Sequence, residues 1–348
     1  MCTSFVIKAQ DGSPLYGRTM EWGGFDLHSE LVLVPRGTSF TSALSATTQG
    51  MTWKNRFGFV AINAANLPVA ADGMNETGLT VGVLYLPGFA QYQEMVEGEE
   101  TTSLNNTDLA AYLLGQFDNV QDIKVALPNL RVVHNDDIVK AFGAPVPLHW
   151  VVTDEAGASI VVEYIDGELH IHDNKIGVMT NAPGYDWHLL NLRNYANLQA
   201  QDITGSREIN GVNLAPFGVG SGMLGLPGDI TPPSRFVRAA AYVHTLLPFP
   251  DAESGIPEVA RVLHNFDIPL GLVREGMHKG KLMAGQTQWT VIGDIRNRCY
   301  YYWTEHNRRM RVVDLSKLDF GGSKVQAIPL DKARREDIED RTQEFSAA

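Results

Sequence analysis

Short apolar runs, separated by Gly, Pro, Asn and Asp, dominate the first hundred residues and predict β-strands. The turn-like residues QDGS separate the first two runs and predict a hairpin that brings Arg18 or Met20 back towards residues 2–4. Strand-like runs return in the middle of the chain and near its end. The predicted strands are SFVIKA, PLYGRTM, ELVLVP, GFVAIN, GLTVGVLYL, PLHWVVTD, ASIVVEYI, ELHIH, KIGVMT, TQWTVIGDI and RCYYYWTE.

Apolar residues recur at helical spacing in four further segments. The first is NNTDLAAYLLGQF, where Asn106 or Thr107 is the expected N-cap. The others begin near Tyr185 with YDWHLLNLRNY and continue in SRFVRAAAYVHTLL and IPEVARVLHNF. Because the strands come in blocks and do not alternate with helices, the pattern predicts an α+β protein with antiparallel sheets.

No repeat or long linker divides the chain, so the sequence predicts one domain over residues 1–330. Within it, a stretch rich in Gly and Pro, about 205–233, predicts a long ordered loop, and such loops are often functional. Residues 331–348 form a charged tail that we expect to be partly ordered.

Composition excludes several classes of protein. A net charge of −12 without any block of Lys and Arg argues against a nucleic acid or an anionic membrane as the main partner. No apolar run approaches the roughly 20 residues that span a bilayer. No basic segment followed by an apolar one predicts a leader, so we expect a cytoplasmic protein. It would be periplasmic if a leader had been cut away ahead of Cys2, with Met1 as an added start residue.

Two motifs resemble functional sites but do not have the required context. The frame GSGMLG contains Gly220, Gly222 and Gly225, but LPGD follows it and prevents the helix that a dinucleotide site needs, so we predict a structural turn. His170 and His172 would share one face of a strand, but no convincing third ligand is nearby, so we predict a solvated face and no metal site.

Cys2 is a candidate nucleophile because of its position. It is one of two cysteines, with Cys299, so neither a disulfide framework nor zinc spacing explains it. A thiol reacts as the thiolate and needs a base. Removal of Met1 would expose the α-amine of Cys2, which can serve as that base within the same residue. The alternative is a small buried residue at a sheet edge.

Charged residues on the second predicted strand bear on this choice. An arginine beside a thiol favours the thiolate, and the predicted hairpin places Arg18 close to Cys2. Glu21 follows in the same GRTMEWG segment. The hairpin alone is also compatible with Arg18 and Glu21 as surface charges.

The sequence resembles the choloylglycine hydrolase family, which contains conjugated bile salt hydrolases and penicillin V acylases and belongs to the N-terminal-nucleophile hydrolases. Five ordered blocks carry the resemblance from residue 2 to about residue 315. They are MCTSFVIKAQDGSPLYGRTMEW, DGMNETGLTVGVLYLPGFA (72–90), GVMTNAPGYDWHLLNLRNY (177–195), PFGVGSGMLGLPGDITPPSRFVRA (216–239) and QTQWTVIGDIRNRCYYYWTEHNRRMRVVDL (286–315).

The resemblance implies an αββα sandwich, with two antiparallel sheets between helical layers, and an amide hydrolase with Cys2 as nucleophile. It implies that Arg18 lies against the thiol, that the side chain of Asn181 donates to the oxyanion, and that Arg235 completes the set near the nucleophile. Family members usually have Asp where this chain has Glu21, whose carboxylate is expected to orient the amine of Cys2.

The resemblance also implies a substrate pocket. Met20, Trp22 and Tyr85 are expected to form an apolar wall, and the backbone N–H of Tyr85 is expected to help bind the oxyanion. Bile salt hydrolases typically carry Asn where this chain has Tyr85, and several penicillin V acylases carry Tyr. An aromatic ring suits a phenoxyacetyl group, so Tyr85 favours penicillin V-type or other slim N-acyl substrates, with bile salts kept open.

Two other functions stay open. One is acylase activity on acyl-homoserine lactones, which shares the reaction and differs in the leaving amine. The other is a non-catalytic relative that binds acyl ligands, in which Cys2 is a core residue. We expect a small N-acyl amide as partner and no metal or organic cofactor. The resemblance of the loop at 205–233 to a segment that exchanges contacts between subunits implies a homotetramer.

Overall fold

The computed structural model describes residues 1–65, 67, 69–135, 137, 140, 146–278 and 280–345. Its strands in the first half of the chain are β1 Cys2–Lys8, β2 Pro14–Trp22, β3 Glu30–Val34, β4 Ser39–Ala43, β5 Gln49–Lys54, β6 Phe59–Ile62, β7 Asp72–Asn75, β8 Thr80–Tyr85, β9 Ser103–Asn105, β10 Arg131–Val133, β11 Leu148–Thr153 and β12 Ser159–Ile165. Those that follow are β13 Glu168–Asp173, β14 Val178–Met179, β15 Arg207–Ile209, β16 Val212–Leu214, β17 Val273–His278, β18 Lys281–Asp294, β19 Cys299–Thr304, β20 Arg311–Asp314 and β21 Gln326–Pro329. The helices are α1 Leu109–Gln116, α2 Val120–Ala126, α3 Tyr185–Leu192, α4 Pro232–Thr245 and α5 Ala252–His264.

Two antiparallel sheets form the centre of the molecule. The first sheet has the order β14-β1-β2-β18-β19-β20, with β17 extending β18, and the second has the order β13-β12-β11-β8-β7-β6-β3-β21. Helices α4 and α5 pack on the outer side of the first sheet, against β1, β2 and β18, and α1 packs on β7 and β8 of the second. The α+β prediction and the αββα sandwich are both confirmed.

The inner faces of the two sheets share one core, and polar contacts also cross between them. The hydroxyl of Tyr16 on β2 donates to Asp72 on β7 at 2.7 Å, and the guanidinium of Arg18 reaches the same carboxylate. All three side chains are buried. Residues of the first sheet can therefore be fixed by partners on the second.

The predicted hairpin forms between β1 and β2, and its register sets the positions of the candidate residues. Cys2 pairs with Met20, and Ser4 pairs with Arg18. Because paired residues of antiparallel strands point to the same face, Arg18 and Met20 lie on the side of the sheet that carries the thiol. On its other edge β2 is covered by β18. Cys2 is thus held in a hydrogen-bonded ladder and does not lie on a loop.

The helices differ from the prediction at their ends. The expected cap of the first helix was wrong, because a 3₁₀ turn precedes α1 and the side chain of Asn105 accepts from the backbone N–H of Thr107. The last predicted helix begins four residues early, at Ala252, where Asp251 accepts from the N–H of Ser254. Helix α2 was not predicted, since it has only seven residues.

The segment 205–233 is not a simple loop. It contains the exposed hairpin of β15 and β16 and a 3₁₀ turn at Ser221–Met223, and α4 already begins at Pro232. The frame GSGMLG lies in that turn, where Gly220 has a φ of 90° and Asp202 accepts from the N–H groups of Gly220 and Ser221. The predicted structural turn agrees with this geometry.

The C-terminal residues pack back onto the sheets. Strand β21 pairs with β3 at the edge of the second sheet. Asp331 accepts from Thr304 and forms an ion pair with Arg311, and Arg334 forms one with Asp26. The last part of the predicted tail, residues 346–348, lies outside the described residues. None of the helices in the described part of the chain has the length and apolar character to cross a membrane.

Candidate active site

The thiol of Cys2 lies at the inner face of the first sheet, next to a guanidinium. Arg18 Nη2 approaches Cys2 Sγ to 3.6 Å, and the thiol also lies 3.9 Å from the sulfur of Met20. Both Cys2 and Arg18 are buried. A positive charge at this distance in a dry environment stabilises the thiolate relative to the thiol. The interpretation of Arg18 as a surface charge is therefore wrong.

Four groups hold the guanidinium of Arg18 in place. Nη1 donates to the carbonyl of Ala71 at 2.7 Å and reaches Asp72 at 3.2 Å, and Nη2 also donates to the carbonyl of Val83. The ring of Trp289 lies 4.8 Å from the guanidinium carbon. Burial alone would lower the pKa of Arg18, but its electrostatic interactions with Cys2 and Asp72 raise it. Arg18 therefore stays cationic.

Asp72 has its own support. The hydroxyls of Tyr16 and Tyr300 donate to its two oxygens at 2.7 and 2.6 Å. Burial raises the pKa of Asp72, and the charge of Arg18 acts against that rise. Sequence reasoning missed Asp72, because only the packing of the two sheets brings its strand against Arg18.

Asn181 and Arg235 meet at the backbone of Cys2. The Oδ1 atom of Asn181 accepts from the backbone nitrogen of Cys2 and from Nη2 of Arg235, each at 2.7 Å. Arg235 also donates to the carbonyl of Cys2 and to the hydroxyl of Thr3. The Nδ2 atom of Asn181 donates to the carbonyl of Tyr85 at 2.7 Å, so the amide bridges Cys2 and the strand expected to bind the oxyanion.

Glu21 lies on the opposite face of β2 from Arg18 and Met20. It is buried, and its Oε1 accepts from the hydroxyl of Thr287 at 3.0 Å, while Oε2 has no hydrogen-bond partner among the described residues. Burial raises the pKa of Glu21, and the positive charges of the chain terminus and Arg235 act against that rise. The nitrogen of Cys2 donates to Asn181, so the expected contact of Glu21 with this nitrogen stays a prediction.

Met1 is bonded to Cys2 in this structure and extends β1 by one residue. Its amino group donates to the carbonyl of Glu21 at 2.7 Å, and its carbonyl accepts from the N–H of Glu21 at 3.0 Å. The nitrogen of Cys2 is therefore an amide, which has no basic lone pair. A basic α-amine on Cys2 would exist only after removal of Met1.

An apolar cavity of about 130 Å³ opens beside the thiol. Cys2, Met20, Trp22 and Tyr85 line it, together with aliphatic side chains such as Leu27. The rings of Trp22 and Tyr85 meet edge to face, with centroids 5.6 Å apart and an angle of 88°. The residues that were expected to form a substrate wall thus lie together, in a cavity suited to a hydrophobic acyl group.

The histidine pair on β13 has other partners than a metal. The rings of His170 and His172 lie 6.1 Å apart on one strand face, and His172 contacts the carboxylates of Glu163 and Asp186. A different trio, Asp26, Glu305 and His306, brings potential ligand atoms within 4.8 Å of one another elsewhere in the described chain. Arg334 already pairs with Asp26 there, so we assign no metal to it.

A comparison with protein families covers almost the whole chain. Residues 2–328 match the description "linear amide C–N hydrolases, choloylglycine hydrolase family". The chain belongs to this family. It is therefore a hydrolase of linear amides, and its relatives' names indicate N-acyl compounds.

Among its relatives, the bile salt hydrolase/transferase of Clostridium perfringens is 31% identical over 334 residues, which cover 95% of this chain and 98% of the relative. A conjugated bile acid hydrolase of Lactobacillus gasseri is 33% identical and covers 93% and 99%. The penicillin V acylase of Pectobacterium atrosepticum is 26% identical and covers 95% and 85%.

Solved structures agree with this choloylglycine hydrolase family assignment. The C2A variant of the conjugated bile acid hydrolase from Clostridium perfringens superposes with a TM-score of 0.81 at 27% identity, and the match covers 98% of this chain and 100% of that one. Penicillin V acylase from Agrobacterium tumefaciens shares the fold, with a TM-score of 0.76 over 96% and 93% of the two chains.

Proposed function

We propose that this amide hydrolase cleaves N-acyl amides through a thioester on Cys2, after Met1 has been removed. The thiolate attacks the amide carbonyl, and the α-amine of Cys2 passes the thiol proton to the leaving nitrogen. Water, activated by the same amine, then releases the acid. The observation that carries the proposal is the buried guanidinium of Arg18, 3.6 Å from a thiol that lines an apolar cavity.

The oxyanion of this reaction would be bound by the side-chain amide of Asn181 and the backbone N–H of Tyr85. One N–H of Asn181 Nδ2 donates to the carbonyl of Tyr85, and an amide nitrogen has a second N–H to offer. Arg235 fixes the orientation of the amide by donating to its oxygen. Loss of one such donor typically lowers the rate about 10²–10³-fold.

We propose slim acyl groups with an aromatic end, of the penicillin V type, as preferred substrates over conjugated bile salts. The perpendicular pair of Trp22 and Tyr85 supports this, because it offers a ring face and a ring edge to a phenoxyacetyl group beside Cys2. Bile salts remain the second candidate, since the relatives at 31–33% identity are named as hydrolases of bile salts or bile acids.

The test is a measurement of released amine with penicillin V, glycocholate, taurocholate and long-chain acyl-homoserine lactones. We expect turnover of penicillin V above that of the others, and none by the Cys2→Ala variant at equal folded concentration. Failure on all four substrates would contradict the substrate class. Intact-mass analysis of the same sample tests the activation step, because full activity of protein that retains Met1 would exclude the α-amine as base.

We also propose that the chain assembles as a homotetramer through the hairpin of β15 and β16 and the turn that follows it. The support is an apolar surface open to solvent, where the side chains of Phe217 and Val219 are 100% and 94% exposed. Val212 and Leu224 are exposed as well. An apolar patch of this kind is typical of a subunit contact.

A further inference from the structure

A buried pair of a histidine and a carboxylate, outside the proposed reaction, lies next to the segment that contains Asn181. His149 on β11 and Glu163 on β12 are both fully buried, and Nδ1 of His149 lies 3.0 Å from Oε1 of Glu163. Removing two charges from water is costly unless each finds several partners. The remaining contacts of the pair show where those partners are.

The partners lie at the two ends of one short segment, residues 180–185, which presents Asn181. Nε2 of His149 lies 3.1 Å from the carbonyl of Thr180. Oε2 of Glu163 accepts from the backbone N–H of Tyr185, the first residue of α3, at 3.0 Å. The pair therefore spans from the second sheet to both flanks of the segment.

The groups around His149 indicate the roles of its ring nitrogens. The carbonyl of Thr180 can only accept, so Nε2 must donate. Burial would raise the pKa of Glu163, but hydrogen bonds from His149 and His172 lower it to about 2, so this carboxylate also accepts. Both ring nitrogens of His149 thus face hydrogen-bond acceptors.

Two further contacts complete the support of the segment. Nε2 of His188 donates to the carbonyl of Asn181 at 2.8 Å, and the hydroxyl of Thr180 donates to the carbonyl of Pro232. Space around the carboxylate is tight, because a Cβ atom added at Gly184 would lie 3.2 Å from Oε2 of Glu163. The segment has little freedom to shift while the pair is intact.

We propose that His149 and Glu163 are positioning residues, which hold the segment 180–185 so that the amide of Asn181 faces the carbonyl under attack. Neither side chain touches the substrate cavity or the thiol. They act through the backbone on both sides of Asn181. The inference rests on the proposed role of Asn181 as an oxyanion donor.

The first experiment compares His149→Gln and Glu163→Asp with wild type in steady-state kinetics. An oxyanion donor that is out of position weakens stabilisation of the transition state and leaves substrate binding almost unchanged. We therefore expect kcat to fall up to about 10²-fold, with KM changed less than threefold. Alkylation of Cys2 by iodoacetamide should keep its wild-type rate, because Arg18 and the thiol are untouched. A fall in alkylation equal to the fall in kcat would overturn the proposal, since it would indicate general damage.

The matched control is Thr153→Val, which removes a partly buried hydrogen bond to Ser159 between the same two strands and leaves both contacts of the His149–Glu163 pair with the segment in place. Its kcat should stay within twofold of wild type. If kcat falls as much in Thr153→Val as in His149→Gln, the loss comes from a general disturbance of the sheet and the proposal fails. If His149→Gln does not fold, Glu163→Asp still tests the proposal, because it keeps the carboxylate charge and shortens the side chain by one methylene.

Asn181→Ala separates this proposal from the proposed function. If Asn181→Ala retains wild-type kcat, the oxyanion role itself is wrong. If it loses activity and His149→Gln does not, only the positioning role is wrong. In the double variant, His149→Gln should cost little beyond Asn181→Ala, because residues that act as a unit are not additive. Full additivity would contradict an action through Asn181.

Discussion

Arg18 lies between the thiol of Cys2 and the carboxylate of Asp72, and its interactions with both raise its pKa. We predict that Arg18→Met lowers the rate at which Cys2 is alkylated by about tenfold or more, because an adjacent positive charge favours the reactive thiolate. The rate of iodoacetamide labelling, followed on the Cys2 peptide across pH, measures it. Cys299 in the same sample serves as an internal reference.

Arg311→Met is the matched variant for this experiment. Arg311 also forms an ion pair, with Asp331, but it lies on β20 at the edge of the first sheet. The rate of iodoacetamide labelling of Cys2 in this variant should match that of wild type at each pH. An unchanged rate of Cys2 labelling in Arg18→Met would contradict the role of the guanidinium.

Tyr85 is the residue on which the substrate preference depends. Tyr85→Asn removes the ring that meets Trp22 and leaves the backbone N–H in place. We expect kcat/KM for penicillin V to fall about tenfold or more, since a lost aromatic contact and its burial are worth roughly 1.5–3 kcal/mol. Turnover of glycocholate should fall less or rise.

Tyr85→Phe keeps the ring and is the control for the hydroxyl. It should retain the preference of wild type for penicillin V. An equal loss for all substrates in Tyr85→Asn would mean that the residue supports the fold of β8 and not the choice of acyl group.

At the scale of elements, close packing between β8 and β2 supports the site. A Cβ atom added at Gly82 would lie 2.1 Å from the hydroxyl of Tyr16 and 3.1 Å from Asp72. We predict that Gly82→Ala lowers the free energy of unfolding by about 1–3 kcal/mol, as overpacking does. Because Asp72 holds Arg18, kcat/KM should fall as well.

Chemical denaturation and kinetics on the same preparation measure both effects. Gly228→Ala is the comparison, because a Cβ atom there would meet nothing within 4 Å. It should leave stability and activity unchanged. A Gly82→Ala protein with wild-type activity would show that Arg18 does not depend on this packing.

The sequence predicts those elements whose signal is local. Alternating apolar runs and the QDGS turn predict β1, β2 and their pairing, and the resemblance to a family identified Cys2, Arg18, Asn181 and Arg235, which the structure brings together. The observed ends of the helices differ from the predicted ones, because several neighbouring residues can each serve as the N-cap.

The residues that the sequence did not predict depend on contacts between distant strands. Asp72 acts on Arg18 across the space between the sheets, and His149 acts on Thr180 in the same way. Neither residue has a motif, because its partner is chosen by tertiary packing. Asn119 before α2, which accepts from the N–H of Asp122, is a capping signal that could have revealed that helix.

At the scale of the whole molecule, Glu305 couples stability to pH. Burial, followed by the charge of Asp26, raises the pKa of Glu305 from 4.5 to about 7. A carboxyl group with a raised pKa binds its proton more tightly in the folded state, so its ionisation costs stability as pH rises from 4.5 to about 7. We predict that Glu305→Gln raises Tm at pH 8 and leaves it unchanged at pH 4.

Glu168→Gln is the matched control, because Glu168 is exposed on β13. Its Tm should follow wild type at both pH values. A Glu305→Gln protein that is less stable at pH 8 would show that the carboxylate has a favourable partner there, and the sign of the coupling would be wrong.

The exposed hairpin segment gives a second prediction at this scale. Replacing Phe217 and Val219 with Ser removes apolar surface that is wholly or almost wholly exposed in one subunit, so the variant should elute as smaller species in size-exclusion chromatography with light scattering. Leu247→Ser, at an exposed apolar site outside this segment, should not change the mass. A wild-type chain that is monomeric at micromolar concentration would contradict the tetramer.

Met1 pairs with Glu21 as if it were the first residue of β1. Because this end of the strand is satisfied with Met1 in place, a fusion peptide ahead of Cys2 should give protein that is soluble, melts normally and does no chemistry. Yield, melting curves and circular dichroism would all report success for such a preparation. Specific activity therefore needs active-site titration, with the affinity tag at the C-terminus, so that each rate refers to molecules with a free α-amine.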